Sequence, residues 1–329
     1  MNAHKPSSTS KPLSGRVLIS GGAGFLGSWL SEALLERGLT VTCIDNLSTG
    51  LRENLSHLLP NKAFTFIQQR VEEPPPSGAF HYVLHFASRP SPDDYTTNPV
   101  ETLTPNAQGV MNMLEVARKN DAVFFLASTS EVYGDAQVIP TPEDYWGYVN
   151  PLGLRSCYDE GKRFAEAVAN AYQREYGLDV RIMRIFNVYG PRMRGDGLYA
   201  RVVPIFIRQA VGNEPLTIHG DGSQTRSFTY ITDWLDATLL ALAKKEARNQ
   251  VLNVGSDTET RIIDLAKTII SLTGSRSDLR FLPKREDDPY RRRPDIAKAH
   301  HILGWTPRTG LKQGLKKTIE WFTSRQSGK

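Results

Sequence analysis

RVLISGGAGFLGSWLSEALLERGLTVTCID, residues 16–45, decides the fold. A short β-rich apolar run (16–20) breaks at the glycine-rich turn GGAGFLG (21–27), an amphipathic helical stretch follows, and a second apolar run, TVTCID, closes the segment (40–45). Strand, turn, helix and strand in that order open a βαβ unit. Each glycine meets a steric need. Gly21 permits the tight turn, Gly24 lets backbone approach a pyrophosphate, and Gly27 allows the helix to pack close to its strand. The helix amino terminus, with Phe25 and Leu26, then faces the phosphates. Asp45, followed by Asn46, ends the second strand 24 residues beyond Gly21, the place for a carboxylate on the adenosine ribose of a dinucleotide. The other reading of Asp45 is a turn begun with Asn46. An acid here repels a ribose 2′-phosphate and no arginine directly follows it, so NAD is expected rather than NADP, with Arg52 as the one contrary sign.

Outward from this segment the alternation continues: FTFIQQ (64–69), YVLHFAS (82–88), a long helix after Asn98, VFFLAS (123–128), a helix from about 156, and VRIMRIFN (180–187). Each strand is almost continuously apolar, as a parallel sheet covered on both faces requires, and right-handed crossovers then give a doubly wound, Rossmann-like α/β fold. After about Gly190 glycine and proline become more frequent and the elements shorter. The expected division is therefore a polar leader without fixed structure (1–14), a dinucleotide-binding domain (15–190) and a smaller mixed α/β substrate lobe (191–329), interleaved at the boundary.

Composition excludes several classes. Forty basic against thirty-five acidic residues give a net charge of +5, too small and too dispersed to indicate nucleic acid. Two distant cysteines, Cys43 and Cys157, indicate neither a disulfide framework nor a metal site, and suit a reducing cytoplasm. No apolar run reaches the ~18 residues that span a bilayer.

Chemistry is signalled by SCYDEGKRFAEAVANAY (156–172), where Tyr158 and Lys162 stand four apart. On a helix they share a face, and a nearby ammonium draws a phenol toward its phenolate, making the tyrosine a usable base. Alone, the pair reads better as a half-buried Tyr beside a solvated Lys. Glu131 ends the buried run 123–128, where a carboxylate is costly unless paired or functional. Arg291, Arg292 and Arg293 lie between DDP and PD, which constrain the loop, although three arginines in a row are usually a solvated face.

GGAGFLG, ASTSEVYG (127–134), YDEGK (158–162) and RIFNVYGP (184–191) resemble, in order and spacing, the extended short-chain dehydrogenase/reductase family, in its nucleotide-sugar-modifying branch. Within that branch, TSEVYGD (129–135), residues 143–163, FNVYGPRM (186–193), GDGSQTRSF (220–228) and DDPYRRRPDI (287–296) are similar to the UDP-glucuronate decarboxylases. The resemblance implies a UDP-sugar substrate and a tightly held NAD. The sugar 4-hydroxyl would be oxidised first, the resulting ketone lying β to the carboxylate so that carbon dioxide leaves an enolate, and the pentose would then be re-reduced. By resemblance Tyr158 takes the hydroxyl proton, Lys162 holds the phenolate and a ribose hydroxyl, Thr129 bonds the reacting oxygen, and Ser130 and Glu131 orient the sugar. On its own residues Thr129 is equally a strand-end cap. Arg292 would bind the substrate carboxylate, and Asn187, Arg201 and Arg226 the UDP diphosphate and ribose. The family also implies a homodimer through a four-helix interface.

Departures bear on the expectation. Related 4,6-dehydratases carry an Asp-Glu pair where this chain has Ser130 and Glu131, so the acid that eliminates water is missing. Arg70 stands where family members often place an Asp near the adenine amino group. Arg89, in ASRPSPDDY (87–95), adds a positive charge near the expected sugar pocket. His85 reads as a satisfied strand-end histidine, and Cys157 has no partner for thiol catalysis. A nucleotide-sugar 4-epimerase and a catalytically silent NAD-binding scaffold are the competing readings.

Overall fold

The computed structural model describes residues 13–326, so all but two residues of the expected leader lie outside the described residues. Seven strands, β1 (Arg16–Ser20), β2 (Thr40–Asp45), β3 (Phe64–Gln68), β4 (Tyr82–His85), β5 (Val123–Thr129), β6 (Val180–Ile185) and β7 (Val251–Val254), form one sheet in the order β7-β6-β5-β4-β1-β2-β3. Every pairing in it is parallel. The fold is a doubly wound, Rossmann-like α/β fold. Strand order reverses between β1 and β4, and a cleft opens at the carboxyl ends of the strands at such a switch point.

Alternation along β1 explains its unbroken hydrophobicity. Val17 and Ile19 enter one core with Leu30, Phe206 and Trp234, whereas Leu18 enters the other with Val83, Leu114 and Ala165. Successive strand side chains point to opposite faces, and both faces here are covered. The first core runs on into the carboxy-terminal lobe, through Leu216, Ile218 and Leu265, so lobe and sheet share one interior.

Helix α1 (Phe25–Glu36) follows the glycine turn. The expected long helix after Asn98 runs through Pro99–Thr104, a π-helical turn (Pro105–Gly109) and α2 (Val110–Asn120) without interruption. Pro105 has no N–H for the helical ladder, and the widened turn accommodates it. Helix α3 (Ser156–Tyr176) buries Tyr158, Lys162, Ala165 and Ala169 on one stripe and stops at Gly177, whose φ of 71° makes it a left-handed cap.

After β6 the chain does not simply leave the sheet domain. β7 returns to the sheet edge beside β6, and the helix Ile231–Ala243 carries Trp234 into the first core. The lobe proper includes the helices Val202–Val211, Ile262–Thr273 and Leu311–Gln326 and short strand pairs such as Leu216–His219 with Leu279–Leu282. Residues beyond 190 thus contribute to the sheet layers as well as to the lobe.

Candidate active site

A cavity of about 610 Å³ lies over the strand ends between sheet and lobe. It is lined by every site residue singled out in the sequence, from Gly21, Gly24, Phe25, Leu26, Asp45 and Asn46, through Thr129, Ser130, Glu131, Tyr158 and Lys162, to Asn187, Arg201, Arg226 and Arg292.

At the glycine turn, Gly21 has a φ of 73°, and its N–H donates to the Ile44 carbonyl at 2.8 Å. A Cβ on Gly27 would stand 2.3 Å from the Gly21 carbonyl oxygen, so only glycine lets α1 approach the turn this closely. Gly27→Ala must push that backbone apart; we expect a loss of about 1–3 kcal/mol of stability and weaker dinucleotide binding, read by thermal denaturation and NAD titration. The first turn of α1 has neither an acidic residue nor a side-chain cap, which leaves its N–H groups for an anion. Buried Asn54 lines the same region with Oδ1 unpartnered. Asp45 is buried, and its carboxylate accepts from the Ala23 and Leu47 N–H groups at 3.0 and 2.8 Å. Burial pushes its pKa up and those bonds pull it back. Its second role, fixing the turn, is therefore real alongside its place in the cavity. These features fit a dinucleotide: a glycine cradle, free helix N–H groups, and a carboxylate at the end of β2.

Midway along the cleft, Tyr158 is buried with its ring stacked on Tyr95, centroids 5.1 Å apart and planes at 4°. Burial pushes its phenol up to about 12, against the pull of Arg201 and a hydrogen bond with Thr129. Lys162, one helical turn on, donates Nζ to the Ala127 carbonyl at 2.9 Å, and burial lowers it to about 7. Glu166 opposes that shift but is itself engaged by Arg184 (2.7 Å) and Ser128 (2.5 Å). Thr129 also caps the turn that follows it, accepting from the Glu131 N–H at 3.2 Å, so both readings of this residue have a physical basis.

Beyond the tyrosine lies a charge cluster whose members come from four separate segments. Glu131 Oε2 accepts from Arg155 at 2.5 Å and from Arg292 Nη2 at 2.5 Å, and Oε1 pairs with Arg292 Nη1. Arg226 donates twice to Asp288, at 3.0 and 2.9 Å, and Arg155 reaches Asp288 at 3.6 Å. Burial would raise the Glu131 pKa, but Arg155 and Arg292 outweigh it and hold the carboxyl well below its usual range. Arg292 thus spends its fork on Glu131. Arg291, its neighbour on an extended segment, turns the other way to Glu259 at 2.5 Å. At the far wall Asn187 has a φ of 38° and its Nδ2 is buried without a partner.

Sequence reasoning missed Arg155, Asp288 and Asp159. Arg155 lies three residues before Tyr158 inside the 143–163 motif, and that closeness was the available signal. Asp159 is pushed up to about 8 by burial, then by Glu131, so the folded chain keeps a proton that the unfolded chain gives up near pH 4. Its contribution therefore falls as pH rises from there toward 8. Asp159→Asn removes the dependence: its Tm relative to the parent should be higher at pH 8 than at pH 5. The charge expected from Arg89 is cancelled, because Arg89 pairs at 2.7 Å with fully buried Asp94. His85 bonds Ser20 at 2.8 Å, and burial lowers it to about 3, leaving it neutral. Both cysteines are free and buried.

A doubly wound sheet with a glycine cradle at its first turn and a Tyr/Lys helix beside the switch point defines a dinucleotide-dependent enzyme of the epimerase/dehydratase type. The chain belongs to the NAD dependent epimerase/dehydratase family, whose model matches residues 17–255. It is 47% identical to UDP-glucuronic acid decarboxylase 1 of Danio rerio, over 94% of this chain and 72% of that protein. Among solved structures it is similar to UDP-glucose 4-epimerase of Thermotoga maritima with UDP-glucose (TM-score 0.87, 33% identity, 94% of this chain and 99% of that one). It is also similar to UDP-glucuronic acid 4-epimerase of Bacillus cereus in complex with UDP-glucuronic acid and NAD (TM-score 0.84, 29% identity, the same coverage).

Proposed function

We propose that the chain is an NAD-dependent UDP-glucuronate decarboxylase forming UDP-xylose and carbon dioxide. The observation that carries this is the double-arginine grip on a carboxylate, Arg155 and Arg292 on Glu131, beside Tyr158 in one cavity. Bound NAD, held by the glycine turn, Phe25, Leu26, Asp45 and Asn46, supplies a hydride acceptor and donor for carbon 4 of the sugar. Tyr158 receives the 4-hydroxyl proton, and Thr129 steadies the same oxygen. Once carbon 4 is a ketone, the carboxylate is β to it and its carbon–carbon bond can break with the electron pair on an enolate.

The uronate carboxylate has the same charge and shape as the Glu131 side chain and competes with it for the arginine forks. Freed from them, Glu131 stays buried, so its pKa climbs; it takes up one proton from solvent and delivers it to carbon 5 when carbon dioxide has gone. Ser130, Asn187, Arg201 and Arg226 line the remaining wall and suit the sugar, diphosphate and ribose. Incubation with UDP-glucuronate and NAD should give carbon dioxide and a UDP-pentose with no net NADH.

The similarity to 4-epimerases supports a second reading, inversion at carbon 4 with the carboxylate retained; mass spectrometry of the same product separates the two. A homodimer is supported by apolar side chains left exposed on Pro99–Thr104 and α3, namely Val100, Leu103 and Phe164, and sedimentation at micromolar protein tests it. A reducing cytoplasm is supported by the two unpaired buried thiols.

A further inference from the structure

Outward along the sheet, the glycine turn stands at β1, Asp45 at the end of β2, and Arg70 just beyond the end of β3. Asp45 pairs in register with Gln68, and the Gln69 N–H donates to the Asp45 carbonyl at 3.2 Å. A dinucleotide with its phosphates at the first station and its ribose at the second has its base at the third. That end of the cleft is lined by Arg70, Val71, Glu72 and Glu101.

The turn that presents Arg70 is firmly built. Asn112 Nδ2 on α2 reaches the carbonyls of Val71, Glu72 and Glu73 at 3.0, 2.9 and 3.3 Å, and the Glu73 N–H donates to the Arg70 carbonyl at 3.2 Å. Val71 is buried in the core below. The guanidinium, 40% exposed, is held from one side: Nη2 serves Glu72 at 3.2 Å and Glu101 at 2.9 Å, and Thr104 steadies Glu72 at 2.7 Å. Among the described residues Nη1 and Nε meet no acceptor, which leaves their N–H groups for another one.

We propose that Arg70 makes the base end of this cleft a hydrogen-bond donor site, so that the chain holds a 6-oxopurine dinucleotide at least as well as NAD. This rests on the NAD reading of the cleft. The 6-amino group of adenine is a donor and finds no complement in a guanidinium, whereas a 6-oxopurine offers O6 and N7 as paired acceptors, the pair that arginine reads in guanine. An arginine here therefore does not select the amino group, and a carboxylate would.

Titration calorimetry of protein freed of bound dinucleotide, with NAD and with nicotinamide hypoxanthine dinucleotide, tests this without turnover. We expect the two dissociation constants of the parent chain to differ by no more than about threefold, or to favour the oxo form. Arg70→Asp, which exchanges donor for acceptor, should move their ratio toward NAD by about tenfold, within the range of one such discrimination. Arg70→Ala should move it the same way by less, without adding a like charge beside the two glutamates. A parent preference for NAD beyond about threefold, or a ratio unmoved by both substitutions, overturns the proposal while leaving the NAD reading intact. Binding of neither dinucleotide overturns both.

Discussion

Tyr158→Phe is expected to lower the turnover of UDP-glucuronate by on the order of 10²–10⁴, the range for a lost acid–base group, with fold and NAD affinity retained. The ring stays stacked on Tyr95 and only the hydroxyl goes, so the effect isolates proton transfer from packing. The resting pair makes the expectation sharper. With Tyr158 pushed up to about 12 and Lys162 down to about 7, both are neutral across the pH range between those values. A neutral phenol with a neutral amine carries the same number of protons as a phenolate with an ammonium. Tyr158 must therefore pass on its own proton before it takes that of the 4-hydroxyl, and a cation beside the phenol favours the phenolate this requires. Steady-state rates checked against melting temperature and NAD titration decide it; a rate within tenfold of the parent would remove Tyr158 from the mechanism.

Glu131→Ala should show the largest stability loss among the site substitutions. Arg155 and Arg292, both buried, would be left without the carboxylate that compensates them, a change that costs about 3–5 kcal/mol when one partner of a buried pair is removed. Turnover should be lost as well. Glu131→Gln keeps the shape and one acceptor and should cost less. If the uronate carboxylate replaces Glu131 on the arginines, UDP-glucuronate should raise the melting temperature of Glu131→Ala by more than that of the parent chain, because in the variant it meets no internal competitor. An equal or smaller rise would show that the substrate carboxylate goes elsewhere.

Local patterns in the sequence carry the cofactor half of the site because its parts are close in sequence: the turn at 21–27 and Asp45 lie in one βαβ unit, and Tyr158 and Lys162 in one helix. The charge cluster is different. Glu131, Arg155, Arg226, Asp288 and Arg292 meet only because β5, α3 and the lobe converge, and no local spacing encodes that an arginine expected to greet substrate rests on an internal glutamate. The same limit explains Arg89, whose charge is cancelled by Asp94 five residues away, and β7, which returns to a sheet its own segment gives no sign of joining. The π-helical turn at Pro105 had a local signal in the proline itself.

The most direct test of decarboxylation through a 4-keto sugar is to supply UDP-glucuronate deuterated at carbon 4, with unlabelled NAD, and to read the product by mass spectrometry and NMR. The expected product is a UDP-pentose that has lost the carboxyl group and kept the deuterium at carbon 4, since the hydride removed there is the one restored. A uronic acid retaining its carboxylate and inverted at carbon 4, or a pentose without the label, would contradict it.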